Sequence, residues 1–503
     1  MSNRFLLCGL AALITVESLL SAPALAQTER STAPPEPVFE EFCLTGDFNL
    51  GARLQGLGPG VDELYPARMC VVSSDDPDFV QFHGAGHSNP DVESTFTVQY
   101  RMPNEVRIVG ESSSPDIVFR GKDITAEARR TRRLDPRRLV TELERYPEWI
   151  VNRDDQGWIE IRYPQETSAV RARIEDRRLR VLETTVDLPL RGRVPMRWTW
   201  TWPPEADAEP EVELSVDGAL MFVAGAERRI LSAEEAAKLA GRAAATEERE
   251  VPPENWPARI DMQREALADG VWRVLGVRTG FHHLVVETGA GLIVADAPAG
   301  WVEMHQIPPT DLVPGLGISG LSERFIDFLH EQWPDQSIRA VALTHAHDDH
   351  AGGARAFAAT GAAIYAPAEV ADFLERALNR PTMPPDRLTS KGLDAKVIPV
   401  SQRLVLEDTD RSVELLPLGA GPHVSAALGV WAPKARLFFQ SDLLVPGAES
   451  DAPRPDRARS ECWFARWAVD HLPPDALVLN SHNTTQLPVA RLKRYTESDL
   501  CKN

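Results

Sequence analysis

Residues 343–357 read LTHAHDDHAGGARAF, and three of the chain's 12 histidines stand between His345 and His350. The segment before them, IRAVALT at 338–344, is a near-continuous apolar run, the pattern of a strand buried on both faces. His345 and His347 follow at i and i+2, so on extended backbone both side chains point the same way. Asp349 and His350 come as the chain turns into a helix, HAGGARAFAATGA, with Gly352 and Gly353 in its first turn. Glycine weakens a helix, and its use there is a close approach of backbone to a neighbouring element. Imidazoles and carboxylates therefore converge at the carboxyl end of a strand, where open α/β sheets place their ligands. Such donors suit zinc, and also iron or manganese. A water-exposed polar loop accounts for one or two of these residues, but not for four at this spacing ahead of a glycine pair.

THAHDDHAGG matches an HxHxDH signature and resembles the metallo-β-lactamase superfamily. HHLVVETGAGLIVADAP resembles the early hairpin of that family, which ends on an aspartate, here Asp296. LGAGPHVSAALGVWAPKARLFFQSDLL resembles the segment bearing a third histidine and a later strand-end aspartate, here His423 and Asp442, and LVLNSHN resembles the last histidine motif, giving His482. The order and spacing agree over roughly residues 265–490, about half the chain. The resemblance implies an α/β fold, an αββα metallo-β-lactamase sandwich, with two metals along one edge of the sheets. His345, His347 and His423 would form the first site, and Asp349, His350 and His482 the second, with Asp442 bridging both. Asp296, at a strand end, is expected to orient a ligand rather than to be one. The family's usual glycine-histidine pair is here Pro422-His423, which keeps the ligand type and puts a small shift of the histidine in question.

By the same resemblance the chain is a hydrolase holding two zinc ions, with iron or manganese as other occupants. The ions would share a hydroxide that attacks an ester, lactone, thioester or similar bond of a small molecule. Asp349 would ligate and also handle the proton. No GxSxG motif or reactive-cysteine context competes with this. True β-lactamases of the superfamily usually carry another residue where Asp442 stands, whereas thioesterases, lactonases and phosphodiesterases keep it. A β-lactamase, a one-iron persulfide-type oxidoreductase and a non-catalytic metal-binding accessory protein remain as alternatives. His347 argues against the flavodiiron members, which have glutamate there.

At 503 residues the chain exceeds one ordinary core, since domains usually run to about 100–200 residues. Residues 1–26 read as a signal peptide: Arg4, an apolar run from Phe5 to Val16, then Ala24-Leu25-Ala26 at the cleavage site. That run is too short to span a bilayer, which takes about 20 residues. A periplasmic or secreted location follows as the expectation. A net charge of −20 argues against phosphate-backbone contacts and against anionic lipid. The expected partner is a small-molecule substrate, with no nucleic acid and no stable membrane span. Cys43–Cys70 is the natural first disulfide, being close in sequence, and Cys462–Cys501 the second; buried free thiols are the alternative.

Residues 27–255 are expected to form a β-rich N-terminal domain of unrecognised fold, and 256–503 the metallo-β-lactamase-like catalytic domain. STFTVQYR, EVRIVG, GWIEIRY, AVRARIED and RLRVLETTVDLPL read as strands. DITAEARRTRRLDPRRLVTELERY reads as helix, broken at Pro136. Trp198, Trp200 and Trp202 alternate in RWTWTW and share one strand face, better explained as packing than as a binding platform. Ser232 and Glu235 form a capping box opening a helix over SAEEAAKLAGRAAATEERE, and VPPENWP follows as a linker. HGAGH, His83 to His87, reads as a loop. Ten of the 12 histidines lie after residue 270, but His282, His283, His305, His330 and His471 have no spacing argument and read as core or surface. The long connection after Asp296, with Trp301 and Met304, is a candidate roof over the site.

Overall fold

In the computed structural model the described residues are 38–502, apart from 50–63, 75–78, 90–91, 110–115, 165–169, 239–247, 252–261, 279–280, 299–318, 383–384, 407–410, 448–450 and a few isolated positions. The signal-peptide reading and the candidate roof with Trp301, Met304 and His305 lie outside the described residues.

The N-terminal region is a separate β-rich domain built on one large sheet of fourteen strands. Strands β1 (Phe39–Asn49), β2 (Leu64–Ser74), β3 (Phe79–Asn89), β4 (Val92–Arg101), β5 (Glu105–Ile108) and β6 (Asp116–Arg120) form one antiparallel meander. A second runs through β7 (Ile150–Arg153), β8 (Trp158–Ile161), β9 (Val170–Glu175), β10 (Arg178–Leu188), β11 (Gly192–Thr201), β12 (Glu211–Val216) and β13 (Ala219–Ile230). They join where β1 pairs with β13, Phe42 opposite Arg228 and Phe48 opposite Phe222. The helical patch between them does break at the proline. Helix α1 (Thr125–Arg132) ends, and α2 (Pro136–Arg145) restarts with Pro136 in its first turn and the Asp135 side chain accepting the Arg137 N–H at 3.0 Å. Leu139, Leu143 and Ala128 from these helices share one core with Phe42, Phe82, Trp198 and Trp200. The three tryptophans are thus packing residues, and Trp202 donates to the Leu179 carbonyl at 2.7 Å.

Two expectations change here. HGAGH is not a loop but part of β3, because its glycines let neighbours close in: a Cβ on Gly84 would sit 2.2 Å from the Arg68 carbonyl oxygen. The Ser232–Glu235 box is present, with reciprocal bonds of 3.2 Å and 2.9 Å. The tail of the expected helix, however, is strand β14 (Glu248–Val251), added parallel to β6. Both disulfides form; Cys43 and Cys70 face each other in register on β1 and β2.

The C-terminal region stacks two sheets. The first orders β15 (Gln263–Ala268), β16 (Val271–Arg278), β17 (Phe281–Thr288), β18 (Gly291–Ala295), β19 (Ile338–Ala342), β20 (Ala363–Pro367) and β21 (Val397–Val400). The second orders β22 (Leu404–Leu406), β23 (Val413–Gly419), β24 (Ala427–Ala432), β25 (Leu437–Phe439), β26 (Leu477–Leu479) and β27 (Leu487–Pro488). Their facing side chains, among them Leu284, Ile293 and Ala340 against Leu415, Val430 and Phe439, make the central core. On the outer face of the first sheet lie α3 (Gly320–Gln332), α5 (Ala354–Ala358) and α6 (Ala368–Leu378). On that of the second lie α8 (Ala458–His471) and α9 (Val489–Glu497). Two short helices, α4 (Asp348–Ala351) and α7 (Arg387–Ser390), complete the set named here. Each sheet needs both faces covered because its inner strands are apolar throughout; all five residues of β18 are buried. The layers are α, β, β, α. Leu190, in the turn between β10 and β11, is buried against the first sheet's helical side, and Asp217 pairs with Arg380 at 3.0 Å.

Candidate metal centre

The apolar strand β19 stops at Ala342, and the next residues leave it toward the second sheet. Leu343 N–H still reaches the Tyr365 carbonyl at 2.8 Å, while the Thr344 carbonyl accepts the Leu428 N–H at 2.7 Å. The chain therefore bridges both sheets just before His345. The extended His347 then precedes α4, which carries Asp349 and His350. The helix expected over HAGGARAFAATGA is two short ones, because Gly352 and Gly353 sit between α4 and α5. The close approach expected of the pair is real at Gly353, whose N–H donates to the Ala297 carbonyl at 2.8 Å. A Cβ there would lie 2.0 Å from Ser322 Oγ and 2.4 Å from the Pro298 carbonyl oxygen.

His423 comes from the turn after β23, Asp442 from just past β25, and His482 from just past β26. Donor atoms of His345, His347, His423 and Asp442 lie within 4.8 Å of one another, and so do those of Asp349, His350 and His482. Asp442 stands between the groups. Its Oδ2 is 3.0 Å from His423 Nε2 and 3.6 Å from His482 Nε2, and its Oδ1 is 3.6 Å from His345 Nε2. The Pro422-His423 variation leaves His423 close in, its ring 4.5 Å from that of His347.

The surroundings fix which nitrogen each ring presents. His345 Nδ1 lies 3.0 Å from Thr344 Oγ1, whose own hydroxyl donates to Asp296 Oδ2 at 3.1 Å. His345 Nδ1–H therefore donates, and Nε2 keeps a lone pair. His350 Nδ1 is 2.9 Å from Asp296 Oδ2 and 2.8 Å from Ser441 Oγ, again leaving Nε2 inward. Asp296, fully buried, also accepts the Thr344 N–H at 2.7 Å. It aligns two rings and belongs to neither donor group, as expected from its strand-end position. Asn480 accepts the N–H groups of His482 and Asn483 at 2.9 and 2.8 Å, which fixes the turn holding His482.

The chemistry of the donor set fits a divalent metal. Nε2 of His345, His347 and His350 and Oδ1 of Asp442 are buried without a hydrogen bond. Leaving such groups unpaired costs about 1–3 kcal/mol each, and a cation would satisfy all four. Burial, helped by His350, pushes His345 down to about 3, and burial pushes His347 well below the usual imidazole range, so both are neutral and able to ligate. Burial opposes the charge on Asp442, but His423 and His345 hold it well below the ordinary carboxylate range. On Asp349 burial is likewise outweighed, there by His350.

Residues 319–482 match the family model described as Metallo-beta-lactamase superfamily. The C-terminal region has the metallo-β-lactamase fold. The match covers about a third of the chain and includes every donor residue above. Among solved structures, a metallo-beta-lactamase from Pontibacter korlensis is similar at 15% identity and a TM-score of 0.34, over 48% of this chain and 100% of that one. One from Hirschia baltica is similar at 17% identity and a TM-score of 0.32, over 46% of this chain and 95% of that one. No curated protein matches the chain.

Within this metallo-β-lactamase fold, sequence reasoning missed Thr344 and Ser441. Each directly precedes a donor residue, which is the signal that was available. It also missed Phe281, whose ring meets His482 edge-on at 5.0 Å and walls the second group with apolar surface. His283, expected to be core or surface, is core: its Nδ1 is 3.0 Å from the Ala295 carbonyl and its ring packs on Phe325. Asp348, inside the signature, belongs to neither group; it accepts the Asp349 N–H at 2.9 Å.

Proposed function

We propose that the chain is an exported hydrolase that uses two zinc ions to cleave an ester, lactone, thioester or similar bond in a small molecule. The observation that carries this reading is the position of Asp442 between two adjoining donor groups, with oxygens 3.0–3.6 Å from histidines of both. His345, His347 and His423 would hold one ion, Asp349, His350 and His482 the other, and Asp442 both. Such a pair, when bound, supplies Lewis acidity and lowers the pKa of water from near 16 to about 7. The protein's own work is to aim its imidazoles, which Thr344, Asp296 and Ser441 do for His345 and His350, while burial keeps His345 and His347 neutral. Asp349, its carboxyl held ionised beside His350 at 3.3 Å, would accept a proton from the attacking water and return it to the leaving group. Phe281 limits water on one side of the second group.

The aspartate at 442 favours the broader hydrolases over β-lactamases, by the family resemblance. Export is supported by the N-terminal stretch and by the two disulfides, which persist in oxidising compartments. The test is metal analysis of zinc-supplemented protein together with a panel of lactams, lactones, thioesters and phosphodiesters. Near two ions per chain and turnover of one substrate class, lost in His347→Ala, are expected. Protein that binds no transition ion after supplementation, or a His347→Ala variant of full activity, would overturn the reading.

A further inference from the structure

Helix α8 contributes no donor to either group, yet its first turns reach two of the loops that do. Arg457, just before it, donates from Nη2 to the main-chain carbonyl of Asp442 at 2.5 Å. One turn on, Ser460 Oγ donates to the Leu443 carbonyl at 2.7 Å. Glu461, fully buried, accepts the Val445 N–H at 3.3 Å and the Arg454 N–H at 2.8 Å. Three consecutive contacts from one helix face thus hold the backbone from 442 to 445. Two residues on, Trp463 lies under a different loop. A Cβ on Gly421 would be 3.0 Å from its Cε3 and Cζ3, so the backbone two residues before His423 rests on the indole. That turn is closed by Gly421 N–H to the Val424 carbonyl at 2.9 Å.

Arg457, Ser460 and Glu461 fall within about one helical turn, on the side of α8 that also carries the buried Phe464 and Ala468, whereas the partly buried Trp463 lies on the flank next to Arg466 and reaches the other loop from there. The other side is exposed at Arg466 and Asp470. The helix itself is fixed by Phe464, Ala465 and Ala468 in the outer core and by the Cys462–Cys501 disulfide. It is therefore a rigid rail with two loops pinned to it. The loops bring Asp442, which stands between the donor groups, and His423, its nearest imidazole at 3.0 Å.

We propose that Arg457, Ser460 and Trp463 are positioning residues that set the separation of Asp442 from His423, and through it the metal affinity of the centre. The proposal rests on the metal-centre reading above and adds to it a part of the chain that touches no metal. A displacement of either loop by a fraction of an ångström would spoil a coordination distance, which tolerates about ±0.2 Å. Loss of supports of this kind typically weakens metal binding by about 10- to 100-fold.

The test uses the full chain and Co2+ as the probe, read by its visible absorption and by competition with a chelator. Ser460→Ala and Arg457→Ala, singly and together, and Trp463→Leu are expected to remain folded and to bind Co2+ about 10-fold more weakly or worse, with altered band intensities. Ser460→Thr, Arg457→Lys and Trp463→Phe keep the donor or the ring and should recover most of the affinity. Asp470→Ala, on the exposed side of the helix, should change nothing. Folded Ser460→Ala and Arg457→Ala variants with wild-type affinity and spectrum would overturn the proposal while leaving the metal centre intact. A wild-type chain that binds no Co2+ would instead remove the metal-centre reading itself. Should the double variant fail to fold, the single Ser460→Ala and Trp463→Leu decide the matter on the same readouts.

Discussion

Gly353→Ala is a single added methyl with a large expected effect. The new Cβ would stand 2.0 Å from Ser322 Oγ, 2.6 Å from Ser322 Cβ and 2.4 Å from the Pro298 carbonyl oxygen. The serine can rotate, but the carbonyl belongs to backbone already tied in place: Ser322 Oγ donates to it at 2.6 Å, Gly353 N–H donates to Ala297 O at 2.8 Å, and Ala297 N–H donates to His350 O at 2.7 Å. Overpacking a site of this kind costs about 1–3 kcal/mol. Losing the Ser322 bond adds about 1 kcal/mol, and the stiffer unfolded chain returns about 0.4–1 kcal/mol. The net is a destabilisation of about 2 kcal/mol. The strain also falls between Asp296 and His350, so Co2+ binding should weaken. Urea unfolding of the metal-free chain gives the first quantity and a chelator competition the second. Ser322→Gly in the Gly353→Ala background should restore only part of the stability, because the Pro298 carbonyl still obstructs. A Gly353→Ala protein within about 0.5 kcal/mol of wild type, binding Co2+ normally, would refute the close-packing argument.

Other substitutions probe other parts. Asp296→Asn keeps the shape but replaces an acceptor with a donor facing His350 or Thr344; the folded variant should bind Zn2+ about 10–100-fold more weakly by calorimetric titration. Removing the Cys462–Cys501 bridge by paired alanines should cost about 4 kcal/mol by the chain-entropy estimate for a separation of 39 residues, seen as a lower urea midpoint. Burial pushes the Glu461 carboxyl up to about 7 from an ordinary value near 4.5. Between those values the unfolded chain has released this proton while the folded chain keeps it, so its contribution to stability falls as pH rises from about 4.5 to 7. Glu461→Gln should flatten that slope in unfolding curves taken at pH 5, 6 and 7; an unchanged slope assigns it to other groups.

How much of this was legible beforehand differs between the halves for a physical reason. In the C-terminal half each donor follows a short apolar strand, and strand ends are readable from one chain. The structure gathers His345, His347, Asp349, His350, His423, Asp442 and His482 into two adjoining groups. In the N-terminal half the alternating strands β4, β8, β9 and β10 were readable, since alternation is local. Their union into one sheet was not, because it depends on β1 pairing with β13 across most of the domain. Strand β14 was not readable either: EREV has no apolar alternation, and its strand state comes from an edge partner, β6. HGAGH failed differently. Glycine reads as a breaker in one dimension, whereas in β3 it makes room for Arg68 and Phe96 from the flanking strands.

The supports of the centre were hidden for a further reason, which concerns strain. Asp296 and Ser441 both have left-handed backbone, with φ of 67° and 69°. For residues other than glycine this conformation costs about 1–2 kcal/mol each. Both lie immediately past a strand of the central core, Asp296 after β18 in one sheet and Ser441 after β25 in the other, and each turns the chain sharply. Their side chains meet: Ser441 Oγ is 3.1 Å from Asp296 Oδ2, and both reach His350 Nδ1. The strained turns are therefore held by one shared hydrogen-bond network, and that network aims a donor nitrogen. Glycine at either position would relieve the backbone and abolish the network. With an aspartate and a serine there, the chain accepts strained backbone at two turns in exchange for a fixed His350 ring. No periodicity along the chain encodes that trade, because its two halves sit 145 residues apart and meet only when the sheets stack.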